Sequence, residues 1–171
     1  MNLKDEILRE RSKSQAVRVA QYILKSESRF AELMKLFFGD DYRITQWAAW
    51  VLSHCHDLQP NLILPYVDQL ISNLNTNPDV AIKRNTVRIL QNVALTEDQM
   101  GPLADHCFKY LKDANEAIAV KVFSMTILAN ITKIFPELKD EIVSNISNQF
   151  PFSTAAFKSR GSKVIKQLSR L

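Results

Sequence analysis

An internal repeat is the feature of this sequence that most constrains its fold. Four matching segments start at residues 43, 81, 119 and 156, so successive copies are offset by 38, 38 and 37 residues. They read RITQWAAWVLSHC, AIKRNTVRILQNV, AVKVFSMTILANI and AFKSRGSKVIKQL. A period of this length is typical of solenoids, in which each repeat buries its apolar face against its neighbours. A closed helical bundle would not require such a register.

The four segments place apolar residues at the same positions. Counted from the first apolar residue of each copy, the shared apolar positions are 0, +7, +8 and +11, and a small residue recurs at +4. This spacing is one face of an α-helix, and the small residue allows a neighbouring helix to approach closely. The apolar positions are Ile44, Ile82, Val120 and Phe157; Val51, Ile89, Ile127 and Val164; Leu52, Leu90, Leu128 and Ile165; and Cys55, Val93, Ile131 and Leu168, and the small ones are Ala48, Thr86, Ser124 and Gly161.

A second set of amphipathic segments alternates with these helices. PNLILPYVDQLISNL, EDQMGPLADHCFKYL and FPELKDEIVSNISNQF each begin near a proline or an acidic residue, as the first turns of helices prefer. The N-terminal part shows a shorter version of the same alternation. With only 3 glycines in 171 residues, the sequence predicts about ten helices, arranged as five antiparallel pairs.

These pairs resemble HEAT repeats, which are related to armadillo repeats. In HEAT repeats the second helix typically carries an apolar residue, then a base, then a small residue three positions further on. The matching residues here are Ile82, Lys83 and Thr86; Val120, Lys121 and Ser124; and Phe157, Lys158 and Gly161. Asn77 and Asn115 stand where the family usually has Asp, and Thr45 replaces the base in the copy at Ile44. The resemblance implies an all-α, right-handed superhelix of about five helix pairs.

The resemblance also sets the expected domain organisation. We expect a single repeat domain over residues 1–171, with an atypical helix pair at 1–26 and repeats at 27–57, 58–95, 96–133 and 134–171. The lysines at +1, Lys83, Lys121 and Lys158, lie at the edge of the buried face. The resemblance implies that they form hydrogen bonds between adjacent helices, so we expect them to be structural.

The second helices of HEAT repeats line a concave surface, and the positions at +2 and +6 would form its floor. In this sequence those positions, with one neighbour, form a basic and aromatic strip that the apolar Val122 interrupts. Because Trp, Tyr and Arg dominate many binding surfaces, we predict a partner-binding groove here. Its residues are Arg18, Tyr22, Gln46, Trp47, Trp50, Arg84, Arg88 and Lys163. In the alternative interpretation the aromatic residues fill gaps between repeats and the arginines form a solvated face.

Two kinds of partner suit such a groove. The leading prediction is a non-catalytic scaffold that binds a protein or peptide. The alternative is nucleic acid, since the net charge is +4 and cations beside aromatic rings suit phosphates and bases. HEAT-like alkylpurine DNA glycosylases carry an Asp one turn after a Trp, but Val51 and His54 follow Trp47 and Trp50 here. The acid-free C-terminal helix is expected to cap the solenoid, with an anionic partner as its alternative.

No motif for catalysis, cofactor binding or metal binding was recognised. In the sequence SHCHD, His54 and His56 would lie about 200° apart around a helix and could not hold one ion together. There is no Gly-rich phosphate loop, no nucleophile elbow and no HExxH. The Ser- and Gly-rich signature loop of adenylosuccinate lyases is also missing. We therefore predict no enzyme activity, no cofactor and no metal.

The composition suggests where the chain is found. A membrane-spanning helix needs about 20 apolar residues, and no apolar run in this sequence approaches that length. The first residues, MNLKDEILRERSKSQ, are too charged for a secretory signal peptide. Cys55 and Cys107 both lie in apolar helical patterns, which favours buried free thiols over a disulfide. We expect a cytoplasmic protein with no membrane association.

Overall fold

A computed structural model describes residues 2–171, which form ten α-helices and no β-strand. The helices are α1 Leu3–Leu8, α2 Lys13–Ile23, α3 Glu27–Phe37, α4 Tyr42–Leu58, α5 Val67–Asn73, α6 Val80–Leu90, α7 Glu97–Lys112, α8 Ile118–Ile131, α9 Lys139–Gln149 and α10 Ala155–Leu168. Short 3₁₀ turns lie at Pro60–Tyr66, Leu74–Thr76, Pro136–Leu138 and Phe150–Phe152. The all-α HEAT-like fold class is confirmed.

Polar side chains determine where several helices begin. The side chains of Asn2, Ser12, Asp41 and Thr154 accept hydrogen bonds from backbone N–H groups of the first turns of α1, α2, α4 and α10. Before α7, the backbone N–H of Thr96 donates to the side chain of Gln99 at 3.1 Å. These bonds satisfy backbone groups that have no partner inside the helix.

The chain divides into two compact units, the first ending at Ile89 and the second running from Leu90 to Leu171. In the first unit, α4 packs against α1, α2 and α3. In the second unit, α8 packs against α7 and α10 in the same way. Within each unit a helix therefore contacts both its pair mate and the second helix of a neighbouring repeat. The single domain over residues 1–171 stays a prediction.

The repeat positions form the core of each unit. All the predicted apolar positions are buried except Val93 and Ile165, which are half-buried. Val93 is only half-buried because α6 ends at Leu90, which leaves Val93 in the turn that follows. The small residues at +4 are fully enclosed, and Gly161 shows why: a Cβ there would lie 2.7 Å from Ile146 Cγ2 and 2.7 Å from Phe150 Cε1.

The helix predicted from Pro60 is interrupted. Pro60–Tyr66 forms a 3₁₀ segment and the α-helix begins only at Val67. Pro65 is responsible, since it has no N–H to donate and its ring disfavours an α conformation in the residue before it. The segment still buries one apolar face, as expected for an amphipathic segment, with Ile63, Val67 and Leu70 buried.

The base at +1 is structural in one repeat and exposed in another. Lys121 is buried, and its Nζ donates to Gln149 Oε1 of α9 at 2.9 Å. Gln149 in turn donates to the Leu111 carbonyl at 2.9 Å, which ties α9 to the end of α7. Burial lowers the pKa of Lys121. Lys158 is exposed on α10.

Both cysteines are free and buried, as predicted. Burial raises the pKa of each thiol to about 12, so the reactive thiolate is scarce while the protein is folded. Within residues 2–171, the helices are too short or too polar to cross a lipid bilayer.

Candidate functional site

Five residues of the first unit line an open cavity of about 210 Å³, which we call the tryptophan–arginine cavity. Its lining residues are Arg11, Gln46, Trp47, Trp50 and Arg84. Four of these five belong to the predicted groove. The three from α4 are close because residues three and four apart share a helix face.

The two tryptophans form the aromatic wall of this cavity. Their ring centroids lie 5.3 Å apart with the planes tilted by 49°, and both side chains are half-buried. His54 continues the row, with its ring centroid 5.9 Å from that of Trp50. A partly exposed indole pair offers a large apolar contact area while its N–H groups can still meet polar partners.

Two arginines provide the charge of the cavity. Arg11 lies in the segment between α1 and α2, and its guanidinium carbon is 5.1 Å from the centroid of the Trp47 ring, within cation–π range. Arg84 is exposed on α6. Among residues 2–171, neither arginine forms an ion pair, and no carboxylate lines the cavity. The site therefore carries two positive charges without local compensation.

Two other predicted groove residues are engaged with their own neighbours. Arg18 forms an ion pair with Glu6 and donates to Gln15 Oε1 at 3.1 Å. The guanidinium of Arg29 lies over the ring of Tyr22, with its carbon 3.9 Å from the ring centroid. Neither residue lines the tryptophan–arginine cavity. Their role in partner binding stays a prediction.

The last two predicted residues lie elsewhere. Arg88 joins α6 to α4, since its guanidinium donates to Asp57 Oδ2 at 2.8 Å and to the Ser53 carbonyl at 3.5 Å. Lys163 is exposed on α10 and belongs to the second unit. Its membership of the same binding surface also stays a prediction.

Arg11 is the one lining residue that the sequence does not predict. It precedes the first turn of α2, so no helical periodicity connects it with Trp47. The only available signal was the charge-dense stretch RERSK, which contains it.

The two histidines of α4, His54 next to Trp50 and His56, both have a lowered pKa. Burial lowers the pKa of His54 and of His56, and Arg88 acts in the same direction, while Asp57 opposes it. In the described part of the chain, His54 Nε2 and His56 Nδ1 are buried without a hydrogen-bond partner. No three His, Cys, Asp or Glu side chains of residues 2–171 are placed to hold a metal ion together.

These shifts predict that acid destabilises the fold below pH 6.5. The unfolded chain binds protons on its histidines at about pH 6.5, whereas the folded chain binds them only at lower pH, so unfolding takes up protons in this window. We expect the urea midpoint to fall from pH 7.5 to pH 5.5, and to fall less in His54→Gln. Glu6 does not affect this window, because its pKa is lowered by its hydrogen bond from Arg18 and the stability that it adds is lost only as the pH falls below about 4.5. An unchanged midpoint would contradict this reasoning.

Comparison with known proteins identifies the family. A family model described as HEAT repeat domain matches residues 3–168. No curated protein and no solved structure shows significant similarity to the chain. The family match covers nearly the whole sequence and agrees with the repeated helix pairs. The chain therefore belongs to the HEAT repeat domain family.

Proposed function

We propose that this protein is a non-catalytic HEAT-repeat scaffold that binds a peptide segment of a partner protein at the tryptophan–arginine cavity. HEAT repeats typically serve as scaffolds for protein interactions, and the family match gives this general role. The observation that carries the specific proposal is the pairing of two uncompensated arginines with two half-buried tryptophans in one cavity.

The chemistry of the cavity favours a segment that combines carboxylates with an apolar side chain. Guanidinium groups bind carboxylates through paired, charge-assisted hydrogen bonds, and neither Arg11 nor Arg84 is committed to such a pair within the described residues. The indoles of Trp47 and Trp50 would cover the apolar side chain. Trp and Arg are among the residues that most often dominate binding energy at interfaces, since Trp buries much surface and Arg forms several hydrogen bonds at once.

Nucleic acid is the second candidate, and the same residues motivate it. Bases can stack on the indoles while the guanidinium groups contact phosphates, without any sequence preference. The two candidates differ in salt dependence, since binding to a nucleic acid releases condensed counterions and weakens steeply as salt is added.

Intrinsic fluorescence offers a direct test, because the only two tryptophans of the chain both line the cavity. We expect titration with a Trp-free and Tyr-free peptide such as Glu-Glu-Leu-Phe-Glu-Glu to change the emission. In Arg11→Glu/Arg84→Glu, affinity should fall by at least about tenfold, since two charge-assisted hydrogen bonds are replaced by repulsion. The matched control is Lys4→Glu/Lys25→Glu, which changes the net charge equally at exposed sites of the same unit.

Other outcomes of this titration would decide against the proposal. Tighter binding of oligo(dT) than of the peptide, with a steep salt dependence, would support the nucleic-acid candidate instead. Equal loss of affinity in both double variants would show that net charge, not the cavity, attracts the peptide. No response to either probe would remove the support for a binding site here.

A further inference from the structure

The second unit holds a cavity of opposite character, with a volume of about 250 Å³. It opens between α7 and the segment that leads from the end of α8 into the 3₁₀ turn Pro136–Leu138. Met100, Phe108, Phe135 and Leu138 are half-buried and form much of its apolar wall. We call it the acidic-rimmed cavity, for the carboxylates at its edge.

Three exposed carboxylates border this cavity, those of Glu97, Asp105 and Glu137. Within residues 2–171 they form no ion pairs, and no Lys or Arg lines the cavity. Glu97 lies in the first turn of α7, where the helix dipole accounts for an acid. Asp105 lies in the middle of α7, so the dipole does not explain it.

One basic group at the apolar wall, Lys112, is already paired. Lys112 Nζ lies 5.3 Å from the centroid of the Phe108 ring and contacts Glu141 Oε1 at 2.7 Å. Lys112 therefore does not compensate the carboxylates at the edge. The lining of the acidic-rimmed cavity thus combines three carboxylates with an apolar floor and contains no Lys or Arg.

Gly101 is independent evidence for open space at the acidic-rimmed cavity. It lies inside α7 and lines the cavity, and a Cβ built on it would meet no atom within 4 Å. Glycine destabilises a helix interior relative to alanine, and neither packing nor backbone conformation requires it here. The contrast with Gly161, where a Cβ would clash, shows that the fold uses glycine for close packing elsewhere. At position 101 the lack of a side chain only widens the cavity.

We propose that the acidic-rimmed cavity binds an apolar side chain of a partner segment that carries Lys or Arg on both sides of it. Burying an apolar side chain against Met100, Phe108 and Phe135 supplies the attraction. The unpaired carboxylates attract basic residues on either side of that side chain and repel acidic segments. This site lies in the second unit and takes the opposite charge from the tryptophan–arginine cavity, so it stands independently of the function proposed above.

Three fluorescein-labelled peptides test the proposal by anisotropy. The probe is Gly-Lys-Arg-Phe-Leu-Lys-Arg-Gly, and its two comparison peptides replace Phe-Leu with Ser-Ser, or every Lys and Arg with Glu. We expect only the first to bind. Equal binding of the Ser-Ser peptide would reduce the interaction to non-specific charge attraction and overturn the proposal, as would equal binding of the acidic peptide or no binding of the probe.

Matched variants then locate the site on the full-length chain. Gly101→Leu fills the cavity and should lower the affinity for the probe by at least about tenfold, while Ser147→Leu, on exposed α9 surface of the same unit, should not. Asp105→Asn/Glu137→Gln should lower it by about threefold or more at low ionic strength, against no change in Asp98→Asn/Asp140→Asn. Unchanged affinity in a folded Gly101→Leu protein would overturn the proposal. Since leucine is the better helix former, that variant is expected to fold.

Discussion

Gly161→Leu is expected to lower the free energy of unfolding by about 3 kcal/mol, at the upper end of the cost of overpacking a close-packed core. Gly161 lies on α10 at the position where a small residue recurs in every repeat. A Cβ there would lie 2.7 Å from both Ile146 and Phe150, and a leucine extends further into the same space. Those neighbours belong to α9 and to the turn that follows it, so relief requires α9 and α10 to move apart.

Urea unfolding and thiol labelling together measure this effect. Cys107 is buried in the second unit and its pKa is raised to about 12, so a thiol reagent modifies it only when the structure opens. If opening and closing are fast, a loss of 3 kcal/mol would raise its labelling rate by about 100-fold. We expect a smaller rise at Cys55, which lies in the first unit.

The control for Gly161→Leu is Gly101→Ala, a glycine change with the opposite expected sign. It should raise the free energy of unfolding by about 0.5–1 kcal/mol, since alanine is the better helix residue and the added methyl group meets nothing within 4 Å. A Gly161→Leu protein as stable as the wild type would mean that Phe150 and Ile146 rearrange at little cost. The +4 position would then not set the helix spacing.

The repeat register was predictable because helical periodicity is a local property. The apolar positions of four segments needed only a period of 3.6 residues and an offset of about 38, and the structure buries nearly all of them. The two wrong helix boundaries also have local causes. Pro65 delays α5 to Val67, and α6 ends before Val93. A pattern of apolar residues indicates the face of a helix more reliably than its ends.

The binding surface was predictable only where one helix carries most of it. Trp47 and Trp50 lie on the same face of α4, and their spacing alone places them together. Arg11 comes from a connecting segment, and its contact with Trp47 depends on tertiary packing that no spacing reveals. The same limit applies to Arg88 on α6, whose position around the helix predicts a solvent-facing side chain but which reaches Asp57 on α4, the second helix of the neighbouring repeat. The acidic-rimmed cavity combines two segments that are separate in the sequence, and it had no sequence signal.

Phe37→Ala should have the largest effect of all, a loss of about 3–5 kcal/mol from the first unit. Phe37 lies at the end of α3 with 1% of its surface exposed, and its ring packs edge-on against Phe38 at 4.9 Å between centroids. Alanine would remove the ring and leave a cavity that α4 cannot fill without shifting. Phe38→Ala is the matched control, since that ring is half-buried and should cost less.

The same two thiols show how far the damage from Phe37→Ala spreads. We expect the labelling rate of Cys55 to rise more than that of Cys107, the reverse of the pattern in Gly161→Leu, because each repeat is stabilised mainly by its nearest neighbours. Equal rises at both cysteines in both variants would instead mean that residues 1–171 unfold as one cooperative domain, as the sequence led us to expect. If Cys55 stays as protected as in the wild type while the urea midpoint falls, the opening that exposes Cys55 leaves the contacts of Phe37 intact, which would contradict the expected pattern. The comparison therefore relates each destabilisation to a named part of the chain, which a single unfolding curve cannot do.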